Sequence, residues 1–353
     1  MQNSIYEQDV LVIQNATYEQ DFLITELPQP IKNLLQAANL PWLNSLEFCT
    51  GYDDSGAERV LLRRDSEKIH QAVFYRLTKK MGLLPIIEIV GFPDMDDAKI
   101  GGLIKTHHAQ LAVVNRLEDS IKPDEEWQAT QPNVYHHSYV TIAQLPPTKE
   151  EYLKRLGKHK RAQLPNYWRK LAKHLDTPIE IYCEWTTAIK LEDVVQLECL
   201  NRERRAGKGK RVDSVLDIQQ RQQHNLPLTA ASGLLVTLRY QGKIIGGTFN
   251  YVCGNEAFLI LIGHDPVFEH LQIGSLGLWK TIEHLIDKGI TQYNLLWGRQ
   301  AYKTQFLGVE YPWSVHIISP YKWLAIVWKK QIKFNQFPKR AWRFVKERLG
   351  FLC

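Results

Sequence analysis

The sequence predicts a mixed α/β fold in which two similar domains follow one another. The chain of 353 residues exceeds one typical domain and fits two. The same order of elements is predicted twice, beginning near residue 58 and again near residue 233. It consists of a mostly antiparallel meander, followed by a helix and a strand that complete a βαβ unit. The residue identities of the two copies do not repeat. The 44% hydrophobic and 23% charged residues are typical of a soluble globular protein. We expect domains at residues 1–145 and 146–320 and a tail at 321–353.

The first half is predicted to contain one complete copy of this pattern. Its elements are a helix at 29–40, strands at 58–64, 69–78 and 83–91, a helix at 96–107 and a strand at 109–117. The polar, aperiodic segment 124–139 is predicted to connect the halves. A helical pattern follows, in which Thr148 and Glu151 form a capping box, and Pro165 is expected to divide it into two helices.

The second half repeats the pattern after a strand and a helix of its own. Its predicted elements are a strand at 179–185, a helix at 190–205, strands at 233–240, 244–253 and 257–265, a helix at 274–289 and a strand at 290–297. The helix at 274–289 carries one apolar stripe that includes Leu278, Ile282 and Leu285, so one of its faces is expected to pack on the sheet.

The start of this second helix is suited to bind an anion. Ser275 is a candidate N-cap between Gly274 and Gly277, and glycines let backbone amides approach a ligand closely at a helix end that favours negative charge. Ordinary helices also begin this way, so the residues alone leave both interpretations open. The preceding strand ends in His264 and Asp265. Neighbouring strand residues point to opposite faces, so Asp265 is interpreted as a turn residue and His264 as a candidate base.

Charge and cysteine usage limit the function classes. The net charge of +6 is concentrated at 154–174, at 202–211 and in the tail, which indicates anionic partners such as phosphates, nucleic acid or a membrane surface. For 202–211 alone a solvated helix face is the favoured interpretation. The five scattered cysteines form no C-x-x-C, so we expect a reducing cytoplasm and no metal site. The basic, aromatic tail fits an anionic membrane surface or packing against protein equally well.

The second half resembles the CelD/BcsL-type branch of the GNAT acyltransferase superfamily. That branch reads Ser-Pro-Gly-x-x-Leu at a helix start and Gly-Asp-x-x-Tyr-Lys after a strand; here the segments are Gln-Ile-Gly-Ser-Leu at 272–276 and Gly-Arg-Gln-Ala-Tyr-Lys at 298–303. The basic helix at 152–171 is also similar. The pattern Tyr-Lys-x-x-Phe-x-Gly at 302–308 resembles the FemAB peptidoglycan-bridge transferases, which are tandem GNAT folds. The resemblance covers about 151–320 and implies two tandem GNAT-like domains, the first of them degenerate.

The resemblance also implies roles for individual residues. We assign catalysis to Tyr302, Lys303 and His264, donor binding to Gln272, Ile273, Gly274, Ser275, Leu276 and Gly277, and acceptor binding to Trp297, Arg299 and Arg161. Tyr302 is expected to protonate a leaving thiolate, and Lys303 to bind a phosphate or carboxylate or to stabilise negative charge. Taken alone, the same pair fits aromatic packing beside a solvated lysine. Arg299 stands where the family has an acidic residue, so if that carboxylate serves as the base in relatives, this chain lacks it.

Three functions are compatible with these features. The first is an N- or O-acyltransferase that uses acyl-CoA, such as acetyl-CoA, and acts on an amine or hydroxyl of a sugar, lipid or cell-envelope precursor. The second is a FemAB-like transferase with an aminoacyl-tRNA donor, the one case in which we expect a nucleic-acid partner. The third is a degenerate, non-enzymatic GNAT binding module, which Arg299 favours. We expect a cytoplasmic protein with peripheral membrane contact through the tail.

Overall fold

One mixed sheet of twelve strands runs through the described part of the chain, which in this computed structural model comprises residues 18–38, 57–64, 68–80, 84–91, 95–117, 134–228, 232–321 and 323–327. The strands are β1 (Tyr18–Leu23), β2 (Arg59–Arg64), β3 (Ile69–Lys80), β4 (Leu84–Ile89), β5 (Leu111–Leu117), β6 (Val134–Gln144), β7 (Glu180–Trp185), β8 (Gly233–Tyr240), β9 (Lys243–Cys253), β10 (Glu256–His264), β11 (Gln292–Trp297) and β12 (Gly308–Ile318). Their order across the sheet is β1-β2-β3-β4-β5-β12-β6-β11-β10-β9-β8-β7.

Helices cover both faces of this sheet. They are α1 (Gln29–Ala37), α2 (Asp97–Thr106), α3 (Lys149–Arg155), α4 (Lys158–His174), α5 (Leu191–Gly207), α6 (Val215–Leu228), α7 (Ile273–Asp287) and the short α8 (Ala301–Gln305). Helix α6 has no counterpart among the predicted elements. In the described chain no helix combines the length and the apolarity that crossing a bilayer requires. Residue 322 and residues 328–353 of the predicted tail lie outside the described residues.

The predicted start of the basic helical region is confirmed, but its division is not. The Thr148 hydroxyl accepts a hydrogen bond from the Glu151 amide at 3.2 Å, as the capping box requires. The break falls at Gly157, where the backbone is extended, whereas Pro165 lies inside α4. The proline removes one helical hydrogen bond, and burial of Leu164 and Leu171 on either side offsets that loss.

The predicted repeat is confirmed by strand pairing. β2, β3 and β4 form an antiparallel meander, and β5 then pairs parallel with β4 after α2. β8, β9, β10 and β11 repeat this arrangement, with α7 between the last two strands. β1 and β7 occupy equivalent positions beside β2 and β8. The described chain therefore contains two α/β units of the same topology.

The last strand of each unit is exchanged with the other unit. β6 follows the first unit in the chain but pairs with β11, and β12 follows the second unit but pairs with β5. The two exchanged strands pair with each other and join the halves into one sheet. The segment 124–139 was predicted to be a connection throughout, which is wrong for 134–139. The apolar part of β6, which includes the buried Tyr139, Val140 and Ala143, begins only at the end of this polar segment.

The two units have separate cores. Leu278, Ile282 and Leu285 of α7 are fully buried against the sheet and helices α3 and α4, so the predicted apolar stripe is confirmed. In the first unit, Ile100 and Leu103 of α2 pack on β3, β4 and β5. Burial of such side chains contributes about 1.5–3 kcal/mol each and fixes the helices on the sheet.

Candidate active site

A cleft opens where β10 and β11 stop pairing. The two parallel strands pair from Glu256 with Gln292 to Phe258 with Asn294, and no pairing follows toward their carboxyl ends. A β-bulge lies between Leu259 and Leu261, and residues 260–262 line the cleft. The cleft has a volume of about 650 Å³, which suits a small-molecule ligand.

The first turn of α7 forms one wall of this cleft. Gln272, Gly274 and Ser275 line it, and the first amides of a helix have no partner within the helix. The Lys160 ammonium of α4 donates to the Ser275 hydroxyl at 3.2 Å, and burial lowers the pKa of Lys160. This wall therefore combines helix amides with a nearby cation. The other predicted donor residues, Ile273, Leu276 and Gly277, are buried in the α7 core instead.

The corresponding helix of the first unit is closed to anions. The Asp96 side chain caps α2 by accepting a hydrogen bond from the Lys99 amide at 2.8 Å, and Asp97 adds a second acid to the first turn. The first turn of α7 has no acidic residue, and the Gln272 side chain makes no capping hydrogen bond. Carboxylates occupy the positive end of α2 and repel other anions there, whereas the first turn of α7 carries no carboxylate.

Two of the three predicted catalytic residues meet in the cleft. His264 lies at the end of β10, and a Cβ on Gly274 would come within 2.7 Å of its Nδ1 atom, so a larger residue at position 274 would displace the imidazole ring. Burial, followed by the charges of Arg204 and Lys208, lowers the pKa of His264 to about 4. Tyr302 lines the cleft from α8, and burial raises the pKa of its phenol.

The turn predicted after His264 is confirmed. The Asp265 carboxylate accepts a hydrogen bond from the Val267 amide at 2.9 Å and so caps the helical turn Pro266–Leu271. This use of Asp265 excludes a side-by-side pair with His264. Among the described residues no side chain is hydrogen-bonded to His264, and the Nδ1 side of its ring packs against Gly274.

The structure does not bring Lys303 into the cleft. This residue is 3% exposed, and its Nζ atom donates to the backbone carbonyls of Leu296 at 3.1 Å, Trp297 at 2.6 Å and Gly298 at 3.3 Å. Leu296 and Gly298 both have positive φ, so the end of β11 turns its carbonyls toward one point. Burial lowers the pKa of Lys303 to about 8, and the group keeps its proton at pH 7. The contacts indicate that Lys303 fastens α8 to β11.

The three predicted acceptor residues also lie away from the cleft lining. The Arg299 guanidinium pairs with Glu310 at 2.7 Å and lies 4.2 Å above the ring of Tyr139. The rings of Trp297 and Trp313 lie 5.5 Å apart. Arg161 is exposed and donates to the Lys154 carbonyl at 3.2 Å. These contacts position Arg299 and Trp297 along β6 and β12, so the departure from the family pattern at Arg299 stabilises the exchanged strands.

The opposite wall is formed mainly by the basic segment 202–211, for which a solvated helix face was the favoured interpretation. Asn201, Arg204 and Arg205 at the end of α5, with Lys210 beyond it, line the cleft. The position of α5 depends on Gly263, because a Cβ there would meet the Leu197 carbonyl oxygen at 2.1 Å. Two features of the sequence could have indicated this wall: the arginine-rich last turn of the helix and a glycine near the end of an apolar strand.

Comparisons with known proteins agree with this geometry. Residues 158–304 match the family model of an acetyltransferase (GNAT) domain. Among solved structures, FemX is similar at 9% identity and a TM-score of 0.55, over 84% of this chain and 96% of FemX, which shows the fold alone. A conserved protein of unknown function from Bacteroides thetaiotaomicron has 13% identity and a TM-score of 0.49 over 82% of this chain and 98% of its own. A tandem GNAT protein from the clavulanic acid biosynthesis pathway has 8% identity and a TM-score of 0.41 over 74% and 83%. No curated protein sequence matches the chain. Residues 158–304 are therefore similar to an acetyltransferase (GNAT) domain, and the topology of the second unit and the cleft at its strand separation agree with that similarity.

Proposed function

We propose that this protein is an acyltransferase that moves an acyl group from acyl-CoA to an amine or hydroxyl of a sugar, lipid or cell-envelope precursor. The observation that carries the proposal is the cleft between β10 and β11, with the first turn of α7 as its anion-binding wall and the Lys160 ammonium hydrogen-bonded to Ser275 of that wall. The motifs at 272–276 and 298–303 support assignment to the CelD/BcsL branch.

The residues of the α7 wall fit the pyrophosphate of CoA. The free amides of a helix start point toward an anion, and the positive end of the helix dipole stabilises it. Lys160 adds a full charge beside Ser275, at a distance that lets the ammonium contact the same anion. When bound, the thioester of acyl-CoA supplies the activated acyl group.

The side chains at the strand separation can hold and accept protons. Tyr302 keeps its proton at neutral pH because burial raises the pKa of the phenol, so its Oη atom is a proton donor for a leaving thiolate. His264 is neutral at the same pH, so an unprotonated ring nitrogen can accept a hydrogen bond from the attacking amine or hydroxyl. The bulge after Leu259 interrupts the β9–β10 ladder, which supports a role for a β10 amide in polarising the acyl carbonyl.

Calorimetric titration with acetyl-CoA tests this function. The wild-type chain is expected to bind acetyl-CoA, and Lys160→Met to weaken binding by about tenfold or more, since one charge-assisted contact is lost. Lys158→Met is a matched control, because Lys158 is exposed two residues earlier on the same helix and should leave the affinity within about twofold. A wild-type chain that binds no CoA would sink the proposal, and steeply salt-dependent binding of aminoacyl-tRNA would favour the alternative donor.

A further inference from the structure

The α5 wall of the cleft contains an arginine without a carboxylate partner. Arg204 donates from Nη2 to the Asn201 side-chain oxygen at 2.8 Å, while its Nε atom is buried and has no hydrogen-bond partner. Within the described part of the chain no carboxylate lies within ion-pair distance of it. By contrast, Arg221 pairs with Glu198 and Asp213 in the same region. An unsatisfied, buried guanidinium nitrogen is costly, so its presence in a cleft indicates a ligand.

The surroundings of Arg204 keep this wall positive. Arg205 and Lys210 line the same part of the cleft. Among the described residues that line the cleft, the acidic one, Glu269, already pairs with Lys208 at 2.8 Å, and this contact lowers the pKa of its carboxyl. After burial, the charge of Arg204 contributes to the lowered pKa of His264 and partly opposes the rise that burial causes in the pKa of Tyr302, so its field reaches the side chains proposed to handle protons.

The two basic walls lie on different faces of the sheet. Helix α7 packs in the core that contains Leu234 and Val236, whereas α5 packs with Leu235, and successive strand residues point to opposite faces. The cleft therefore passes between an anion-binding helix start on one side and the Arg204 wall on the other. If the pyrophosphate of CoA occupies the first wall, the second wall lies on the other face of the sheet and is free for a different anionic group.

On the basis of the proposed function, we propose that Arg204, flanked by Arg205 and Lys210, binds an oxyanion of the acceptor molecule, either a phosphate or a carboxylate. A guanidinium forms two parallel hydrogen bonds with such a group. The acceptor would thus be an anionic amine or alcohol, oriented with its nucleophile toward His264 and the strand separation.

Thermal unfolding in the presence of anions tests this proposal without measuring activity. The wild-type chain is titrated with inorganic phosphate or with acetate, in the presence and in the absence of saturating CoA. Sodium chloride at equal ionic strength is the reference for each anion. We expect one of the two anions to raise the unfolding temperature in both conditions. Arg204→Gln should weaken the binding of that anion by about tenfold or more, whereas Lys160→Met should leave it unchanged. Arg161→Gln is the control, because Arg161 is exposed and does not line the cleft.

The outcomes separate this proposal from the function on which it rests. If CoA does not bind but the anion effect still depends on Arg204, the donor assignment fails and the anion site stands. If the anion competes with CoA, Arg204 belongs to the donor site and the proposal is overturned; an effect that persists in Arg204→Gln also overturns it. Glucosamine 6-phosphate and phosphatidylglycerol vesicles then distinguish a soluble phosphate from a lipid headgroup, and Arg204-dependent binding of either supports the proposal.

Discussion

Replacing Lys303 by methionine is expected to lower the free energy of unfolding by about 3 kcal/mol. The ammonium has three N–H donors, and all three carbonyls at the end of β11 accept from it. A charge-assisted hydrogen bond contributes about 1–1.5 kcal/mol net here, because part of this segment is exposed and water can replace some of the lost contacts. Methionine keeps most of the apolar stem, so the loss comes mainly from the unsatisfied carbonyls.

Urea unfolding at pH 7, followed by tryptophan fluorescence, measures this change. Lys243→Met is the matched control, since Lys243 is exposed at the start of β9 and its replacement should stay within about 0.5 kcal/mol of wild type. Amide hydrogen exchange should accelerate over residues 294–306 in Lys303→Met. If this variant keeps wild-type stability but loses acyl transfer by about a hundredfold, Lys303 acts on the substrate and our structural interpretation is refuted.

Two further predictions concern the walls of the cleft. Because burial lowers the pKa of His264 to about 4, below its ordinary value of about 6.5, the unfolded chain binds the proton first and stability falls as pH drops from 6.5 toward 4. After allowance for solvent screening, the resulting loss of unfolding free energy between pH 6.5 and pH 4 is about 2 kcal/mol. In His264→Asn this loss, measured by urea unfolding at each pH, should be smaller. An unchanged loss would contradict the lowered pKa of His264. Gly263→Ala should cost about 2 kcal/mol by pushing on the Leu197 carbonyl, whereas Gly101→Ala, with open space around its Cβ in α2, should be neutral or stabilising by calorimetry; equal effects contradict the packing argument.

The repeated units could be predicted because their signals are local. The meander strands and α7 have regular apolar periods, and each period is a property of the residues next to one another. The position of Gly274 and Ser275 at a helix start could be predicted for the same reason, and the structure places both residues in the cleft lining. His264 and Tyr302 were found as strand-end residues, and the structure places both in the cleft.

The remaining site features depend on contacts that the sequence does not display. The side chain of Lys303 points to the carbonyls after β11 because positive φ angles at Leu296 and Gly298 turn those carbonyls toward it. Tertiary packing decides these angles. The basic segment at 202–211 has the composition of an exposed helix end. Only the close approach of α5 to Gly263 turns Arg204 into a cleft residue.

The exchange of β6 and β12 gives the first unit a role in the site of the second. β6 pairs with β11, and the amide of Gly298, directly after that strand, donates to the Tyr139 carbonyl of β6 at 2.9 Å. Because this segment leads to α8, Tyr302 is held in place partly by a strand that precedes residue 145. The domain boundary between residues 145 and 146 stays a prediction. A chain cut at that boundary would lose β6 and leave β11 as an open edge of the sheet. It would also separate Arg299 and Glu310 from the ring of Tyr139. The first unit, whose α2 start is closed to anions by Asp96, therefore contributes to the cleft through the sheet.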